Sequence, residues 1–260
     1  MTGLASRIEC QPAYVLHTRP YKETSVIASL ITLDYGRIDG VVAGVRKAKS
    51  RSRALLQPMQ PLHVSWRGDN SLKTLSDIES CGVPARLNGR YLNCVLYANE
   101  LLSRLLLPQA PCPSLFREYA LLLLQLEQIT QPNQLEPLLR QFEWQLLTSL
   151  GYPINFVSAQ GHNLQAEQYY QYDWQSGFVL SKQGFLGEHL LRLQEKEWQD
   201  AECLKIAKQL SRIAFKPLLG DKPLLARQLF QVHRASKQNS TQPEFTQHKQ
   251  PCEDLSCSTR

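Results

Sequence analysis

The chain has 260 residues, 43% of them hydrophobic and 20% charged, which is enough to bury a core and to divide into two domains. Its formal net charge of +6 is placed early: residues 1–80 hold eleven Lys and Arg against seven Asp and Glu, and the remaining 180 hold eighteen against sixteen. No apolar run reaches the length of a membrane span, and the first eleven residues lack the basic-then-apolar order of a signal peptide, so a cytosolic protein is expected.

Residues 1–80 alternate apolar and polar side chains in five short stretches, 14–18, 25–33, 37–45, 62–66 and 72–75. Asp34-Tyr35-Gly36 turns the second into the third, and Gly68-Asp69-Asn70 turns the fourth into the fifth. Five strands with a longer break after the third predict a small closed barrel of the OB type, whose ligand face is strands 2 and 3 with the loops joining strands 1 to 2 and 4 to 5. Those loops fall on residues 19–24 and 67–73, and they bring Arg19, Lys22, Arg67 and Lys73. The longer break carries Arg46, Lys47, Lys49, Arg51 and Arg53, five cations in eight residues with no acid among them. Such density resists burial and predicts a mobile, solvated loop that waits for a polyanion; the blander alternative is a loop that only aids solubility.

From Pro84 the period becomes helical. Leu87, Tyr91, Val95, Ala98, Leu102 and Leu105 form one stripe, and Pro108 and Pro111 end that helix. A very apolar helix follows over about residues 113–129, and Leu135, Leu138, Leu139, Phe142, Leu146 and Leu150 mark a third, stopped at Gly151. Residues 152–186 read as a loop or small β insert. Helical pattern resumes near Gly187, and a helix capped by Asp200 runs to Leu219, bent or stopped by Pro217 and Gly220. The fold class is therefore α+β: an OB barrel over 1–80, a mainly helical domain over 81–235, and a polar tail over 236–260 expected to be disordered.

No catalytic signature is present: there is no P-loop spacing after Gly40 or Gly44, and no G-x-G-x-x-G, H-E-x-x-H or G-x-S-x-G. The six histidines are spread singly, and the seven cysteines, at 10, 81, 94, 112, 203, 252 and 257, include no C-x-x-C pair. They read as apolar fillers and idle thiols, with Cys252 and Cys257 in the polar tail a weak metal or redox pair at most. No metal and no cofactor are expected.

Nucleic-acid binding has better support, because cations are interleaved with aromatics. Tyr21 lies between Arg19 and Lys22, and Tyr35 precedes Arg37; single strands are held by phosphate neutralisation plus base stacking. Tyr14 and Trp66 read as barrel core, whereas Tyr21 and Tyr35 fall at turns and are the base-stacking candidates. A second basic stripe, Lys205, Lys208, Arg212 and Lys216, lines one face of the late helix. Its usual meaning is a solvated face, but it shows no acidic partners of its own.

These residues resemble the RecO family of bacterial recombination mediators. The resemblance is carried by Arg19-Pro20 with Glu23-Thr24-Ser25, the basic segment 44–53, Leu56-Gln57-Pro58, Leu72-Lys73-Thr74-Leu75, Asn99-Glu100-Leu101-Leu102, Arg140 with Phe142-Glu143, Leu150-Gly151-Tyr152, and Lys216-Pro217-Leu218-Leu219-Gly220 with Lys222-Pro223-Leu224. It extends over about residues 10–233. It implies binding of single- and double-stranded DNA, annealing of complementary strands, and loading of RecA onto DNA covered by the single-strand binding protein SSB, with RecR as a further partner and no nucleotide hydrolysis. It also implies that the helical domain holds the acidic, apolar C-terminal tail of SSB, with Arg140 placed to meet the tail's carboxylate. The alternatives are a DNA-processing enzyme, such as a nuclease with a non-obvious carboxylate site, and a pure protein adaptor. One departure stands out: many relatives bind zinc through two cysteine pairs after the Leu-Gly-Tyr motif, but residues 151–177 here contain no cysteine. Packing of Phe156, Tyr170 and Trp174 is expected to hold the insert instead.

Overall fold

A computed structural model describes residues 7–47 and 50–229. Lys49, Cys252, Cys257 and the expected tail lie outside the described residues. Five strands form a closed barrel: β1 (Arg7–Tyr21), β2 (Ser25–Thr32), β3 (Gly36–Val42), β4 (Pro61–Arg67) and β5 (Leu72–Ser80), in the order β1-β2-β3-β5-β4. The parallel β3–β5 pairing and the antiparallel β1–β4 pairing close the ring. β1 serves both neighbours because it is fifteen residues long, and a register shift between Val15 and His17 bends it from one partner to the other. Alternate residues face inward, so Val26, Ala28, Leu30, Ile38, Val42, Leu62, Val64, Trp66 and Leu75 fill the interior. Trp66 is thus barrel core, as expected.

The first and last strands are longer than their sequence pattern indicates. Arg19 and Tyr21 consequently sit on β1, paired with Ile27 and Ser25, and only residues 22–24 form the turn. The basic segment is also not wholly a loop: Arg53 belongs to a short helix, α1 (Ser52–Leu55), and Arg51 is its N-cap residue.

The helical part comprises α2 (Gly89–Leu105), α3 (Pro113–Gln128), a single 3-10 turn at Pro132–Gln134, α4 (Leu135–Ser149), α5 (Gly187–Gln194) and α6 (Ala201–Leu219). Its insert is a three-stranded sheet of β6 (Tyr169–Asp173), β7 (Gly177–Ser181) and β8 (Phe185–Leu186), in the order β7-β6-β8. Tyr170 and Phe178 are buried beneath it against α5 and α6, and Phe156 stacks on Phe178 at 5.7 Å. Trp174, expected to share that packing, is instead 38% exposed and meets Tyr152 at the surface. Among the described residues no helix is long and apolar enough to cross a membrane.

Barrel and helices share one core. Leu16 and Ile31, on the outer faces of β1 and β2, pack with Val95, Ala98, Leu115 and Tyr119. Tyr14, expected inside the barrel, points outward and meets Phe116 at 5.4 Å and Tyr119 at 5.3 Å. The outward turn follows from its pairing with Ile31, which shares that face. Polar groups complete the seam: the Tyr119 hydroxyl donates to Asn99 Oδ1 at 2.7 Å, and Asn99 Nδ2 donates to the Leu16 carbonyl at 3.0 Å. Gly36, at φ +64°, turns β2 into β3 where a side chain would strike the Ala110 carbonyl. The last barrel strand ends at Ser80 and α2 begins at Gly89, and the barrel and the helices are packed together.

Candidate nucleic-acid interface

The turn after β3 folds back on the turn after β1. The Arg46 backbone N–H donates to the Thr24 carbonyl at 2.9 Å, and Arg46 Nη1 donates to the Lys22 carbonyl at 3.3 Å. Arg46 and Arg53 then line a cleft of about 380 Å³ with Thr18, Val26, Val45, Leu56 and Gln57 at the rim of the barrel. Lys22, Arg46, Lys47, Arg51 and Arg53 are all exposed, and none pairs with an acid among the described residues. Lys22 lies 5.4 Å over the ring of Tyr21, which is only half-buried, so a cation and a stacking surface stand together at this corner.

The register places the remaining barrel cations. Arg19 pairs with Ile27, Ile27 with Val41, Val41 with Thr74 and Thr74 with Arg67, so these five form one outward-facing row across the sheet with an exposed arginine at each end. The neighbouring row holds His17, Ser29, Asp39 and Leu72. Here Arg37 bonds Asp39 at 2.8 Å, which offsets the one acid in these two rows. Partial desolvation, and then Arg19 and Arg37, hold the surface-exposed His17 imidazole below its ordinary pKa against the opposing pull of Asp39.

Two sequence candidates do not belong to this surface. Lys73 shares the inward side of β5 with Leu75 and is 6% exposed, because side chains two apart on a strand face the same way. Tyr35 packs edge-on against Trp66 at 5.2 Å and joins the barrel core, so its turn position does not free its ring for a base.

The stripe on α6 is only partly free. Lys205 bonds Glu202 at 2.8 Å and Lys208 bonds Glu136 of α4 at 3.0 Å, so the expectation of a face without acids is corrected. Arg212 and Lys216 are exposed and pair with no acid among the described residues. The partner of Lys208 comes from another helix, and so no reading of α6 alone could supply it.

Arg140 is buried at 6% exposure, with its Nη1 2.6 Å from Glu143, itself fully buried. The other oxygen of Glu143 accepts the Tyr97 hydroxyl at 2.8 Å. Burial drives the Tyr97 hydroxyl pKa upward, with Glu143 adding to the rise, and pushes the Cys94 thiol to about 12. Two guanidinium nitrogens nearby, Nε of Arg140 and Nε of Arg90, are buried without hydrogen-bond partners among the described residues. Both arginines act electrostatically on Cys94, and Arg227 lies 5.8 Å over the Tyr97 ring. Three arginines thus gather around Tyr97, Cys94 and Glu143, of which the sequence pattern singles out only Arg140 and, among the described residues, only Arg140 pairs with Glu143.

The insert does not fit a cysteine-held zinc, since residues 151–177 hold apolar packing and no cysteine. Among the described residues one group with metal-ligand chemistry comes together elsewhere, His189, Asp200 and Cys203.

A closed barrel with a basic rim, packed on a helical domain, is the architecture of a nucleic-acid-binding protein. Residues 8–83 match the family model of Recombination protein O N terminal, and residues 86–218 match that of Recombination protein O C terminal. The chain belongs to the recombination protein O family. It is 37% identical over 238 residues to DNA repair protein RecO of Vibrio cholerae, covering 89% of this chain and 98% of the relative. Against DNA repair protein RecO of Vibrio parahaemolyticus it is 40% identical over 226 residues, covering 85% and 92%. Against that of Cellvibrio japonicus it is 39% identical over 236 residues, covering 86% and 97%.

Proposed function

We propose that the protein is a non-enzymatic DNA-binding mediator of recombination and repair, which holds single and double strands on the barrel rim and docks protein partners on its helices. The observation that carries the reading is the joining of the Lys22 and Arg46 turns into one cationic rim, beside a barrel of a family named for DNA recombination. Bringing complementary strands together requires screening the repulsion between two polyanions, and unpaired exposed cations supply it by displacing counterions. Lys22, Arg46, Lys47, Lys49, Arg51 and Arg53 form the principal phosphate-binding set, with Arg19 and Arg67 extending it across the sheet and Tyr21 offering a stacking ring. Arg140, with Arg90 beside it, is the anchor for the carboxylate of the SSB tail; RecR and RecA are the further partners that family membership supports.

Replacing the five cations between 46 and 53 with alanine should weaken oligonucleotide binding and flatten its salt dependence by about 0.7 log units for each single-strand phosphate no longer neutralised. An unchanged slope would take that segment out of the interface. Annealing of complementary labelled strands, with and without SSB, tests the mediator reading itself. Shortened strands after incubation with magnesium would instead favour a nuclease.

A further inference from the structure

We propose that His189, Asp200 and Cys203 bind a divalent transition-metal ion, zinc by its donor set, which ties α5 to the start of α6. Each residue offers one ligand atom, and these atoms lie within 4.8 Å of one another. Around tetrahedral zinc, bonds of about 2.0–2.3 Å keep donors roughly 3.3–3.8 Å apart, so side-chain adjustments on the order of 1 Å close the triangle. A set of sulfur, imidazole nitrogen and carboxylate oxygen suits zinc and disfavours magnesium and calcium, which prefer oxygen alone.

A second observation is independent of that proximity. Nδ1 of His189 is buried and has no hydrogen-bond partner among the described residues. A buried ring nitrogen left so is costly, and a metal ion bound at Nδ1 itself gives that atom a partner. The other two ligands are held in place beforehand. Asp200 caps α6 by accepting the Cys203 backbone N–H at 2.8 Å, and its second oxygen lies 3.4 Å from Arg192. Cys203 is fully buried, with its sulfur 3.8 Å from the His189 carbonyl. The Asp200 contacts fix that ligand's orientation. His189 also lines a cavity of about 610 Å³ with Glu202, Ile206 and Gln209. Binding displaces the Cys203 thiol proton to solvent and forms the metal–thiolate bond, with no change of oxidation state.

The proposal departs from the expectation of a metal-free chain, and the site lies outside the cysteine-free segment 151–177. Cobalt(II) added to metal-free full-length protein tests it. The expected result is a thiolate-to-cobalt charge-transfer band with tetrahedral d–d bands, saturating at one ion per chain and discharged by zinc. Cys203→Ser should abolish the band, and His189→Gln should weaken cobalt binding by about tenfold or more. Cys10→Ser and the double replacement Cys252→Ser with Cys257→Ser should leave it unchanged. Should Cys203→Ser fail to fold, His189→Gln alone decides. No thiolate band in the wild type, or one that survives His189→Gln at full affinity, overturns the proposal; so does a band lost only with Cys252 and Cys257.

Discussion

Arg140 and Glu143 form a buried ion pair one helical turn apart, 2.6 Å between Nη1 and the carboxylate, with side-chain exposures of 7% and 0%. Removing the cation leaves a desolvated carboxylate with only the Tyr97 hydroxyl, so Arg140→Ala should cost about 3–5 kcal/mol in urea unfolding. Arg140→Lys keeps a charge for Glu143 but loses the planar fork, and should cost less. With samples kept folded, Arg140→Ala should also lose ~1.5–3 kcal/mol of affinity for a labelled SSB tail peptide, while bare-DNA affinity stays near wild type. Equal peptide affinity would give the pair a purely structural role. Attention would then move to Arg117, exposed on α3 beside exposed Leu121 and Leu124.

On α6 the ion pairs divide the stripe. Arg212→Ala with Lys216→Ala should lower the salt slope for duplex DNA by about 0.9 for each phosphate no longer neutralised, whereas Lys205→Ala with Lys208→Ala should change it little. The paired lysines would have to leave Glu202 and Glu136 before meeting phosphate. Filter binding at several salt concentrations reads both, and equal losses from the two double variants would show that these ion pairs do not restrain the lysines.

The elements are legible in the sequence because their apolar period is regular: Ile38, Gly40 and Val42 alternate on β3, and the cap at Asp200 starts α6 as the sequence indicates. Site residues are legible only where charge density is local, as at 46–53. Lys73 reads as a surface cation because its number places it after a turn, but the inward register of β5 decides its fate. The same holds for Tyr14, whose ring faces α3 rather than the barrel, and for Lys208, whose acid lies 72 residues away. Arg90 and His189 give no sequence signal at all, since each gains meaning only from side chains that tertiary packing brings near.

Because Leu16 packs in the helical core while Leu30 packs inside the barrel, both parts should unfold together. Leu16→Ala and Leu30→Ala should each cost about 2–5 kcal/mol, and each should lower the stability of the whole molecule. Trp66 reports on the barrel, and Trp144 and Trp198, in contact at 4.9 Å, report on the α4–α6 region. Denaturation followed through either set, after replacing the other set and Trp174 with Phe, should give coincident midpoints. Two separated transitions would show that the seam of Tyr14, Asn99 and Tyr119 does not couple the parts.

His17 offers a reporter of what occupies the sheet face. Its pKa is held down first by partial desolvation and then by Arg19 and Arg37, so the native state carries fewer protons than the unfolded chain as pH falls through the ordinary imidazole value of ~6.5. Native stability should therefore decline with acidification from that pH and level off below the folded-state pKa, and His17→Gln should remove this part of the pH dependence. Asp39→Asn should depress the imidazole pKa further, because the one group that raises it is lost. DNA phosphate lying along Arg19 should act in the opposite direction, raising the pKa and coupling binding to proton uptake. Imidazole resonances of His17, titrated with and without a saturating oligonucleotide, measure both effects. An identical titration in the two samples would mean that phosphate does not reach the Arg19 end of the row, and the interface would then be confined to the rim around Lys22 and Arg46.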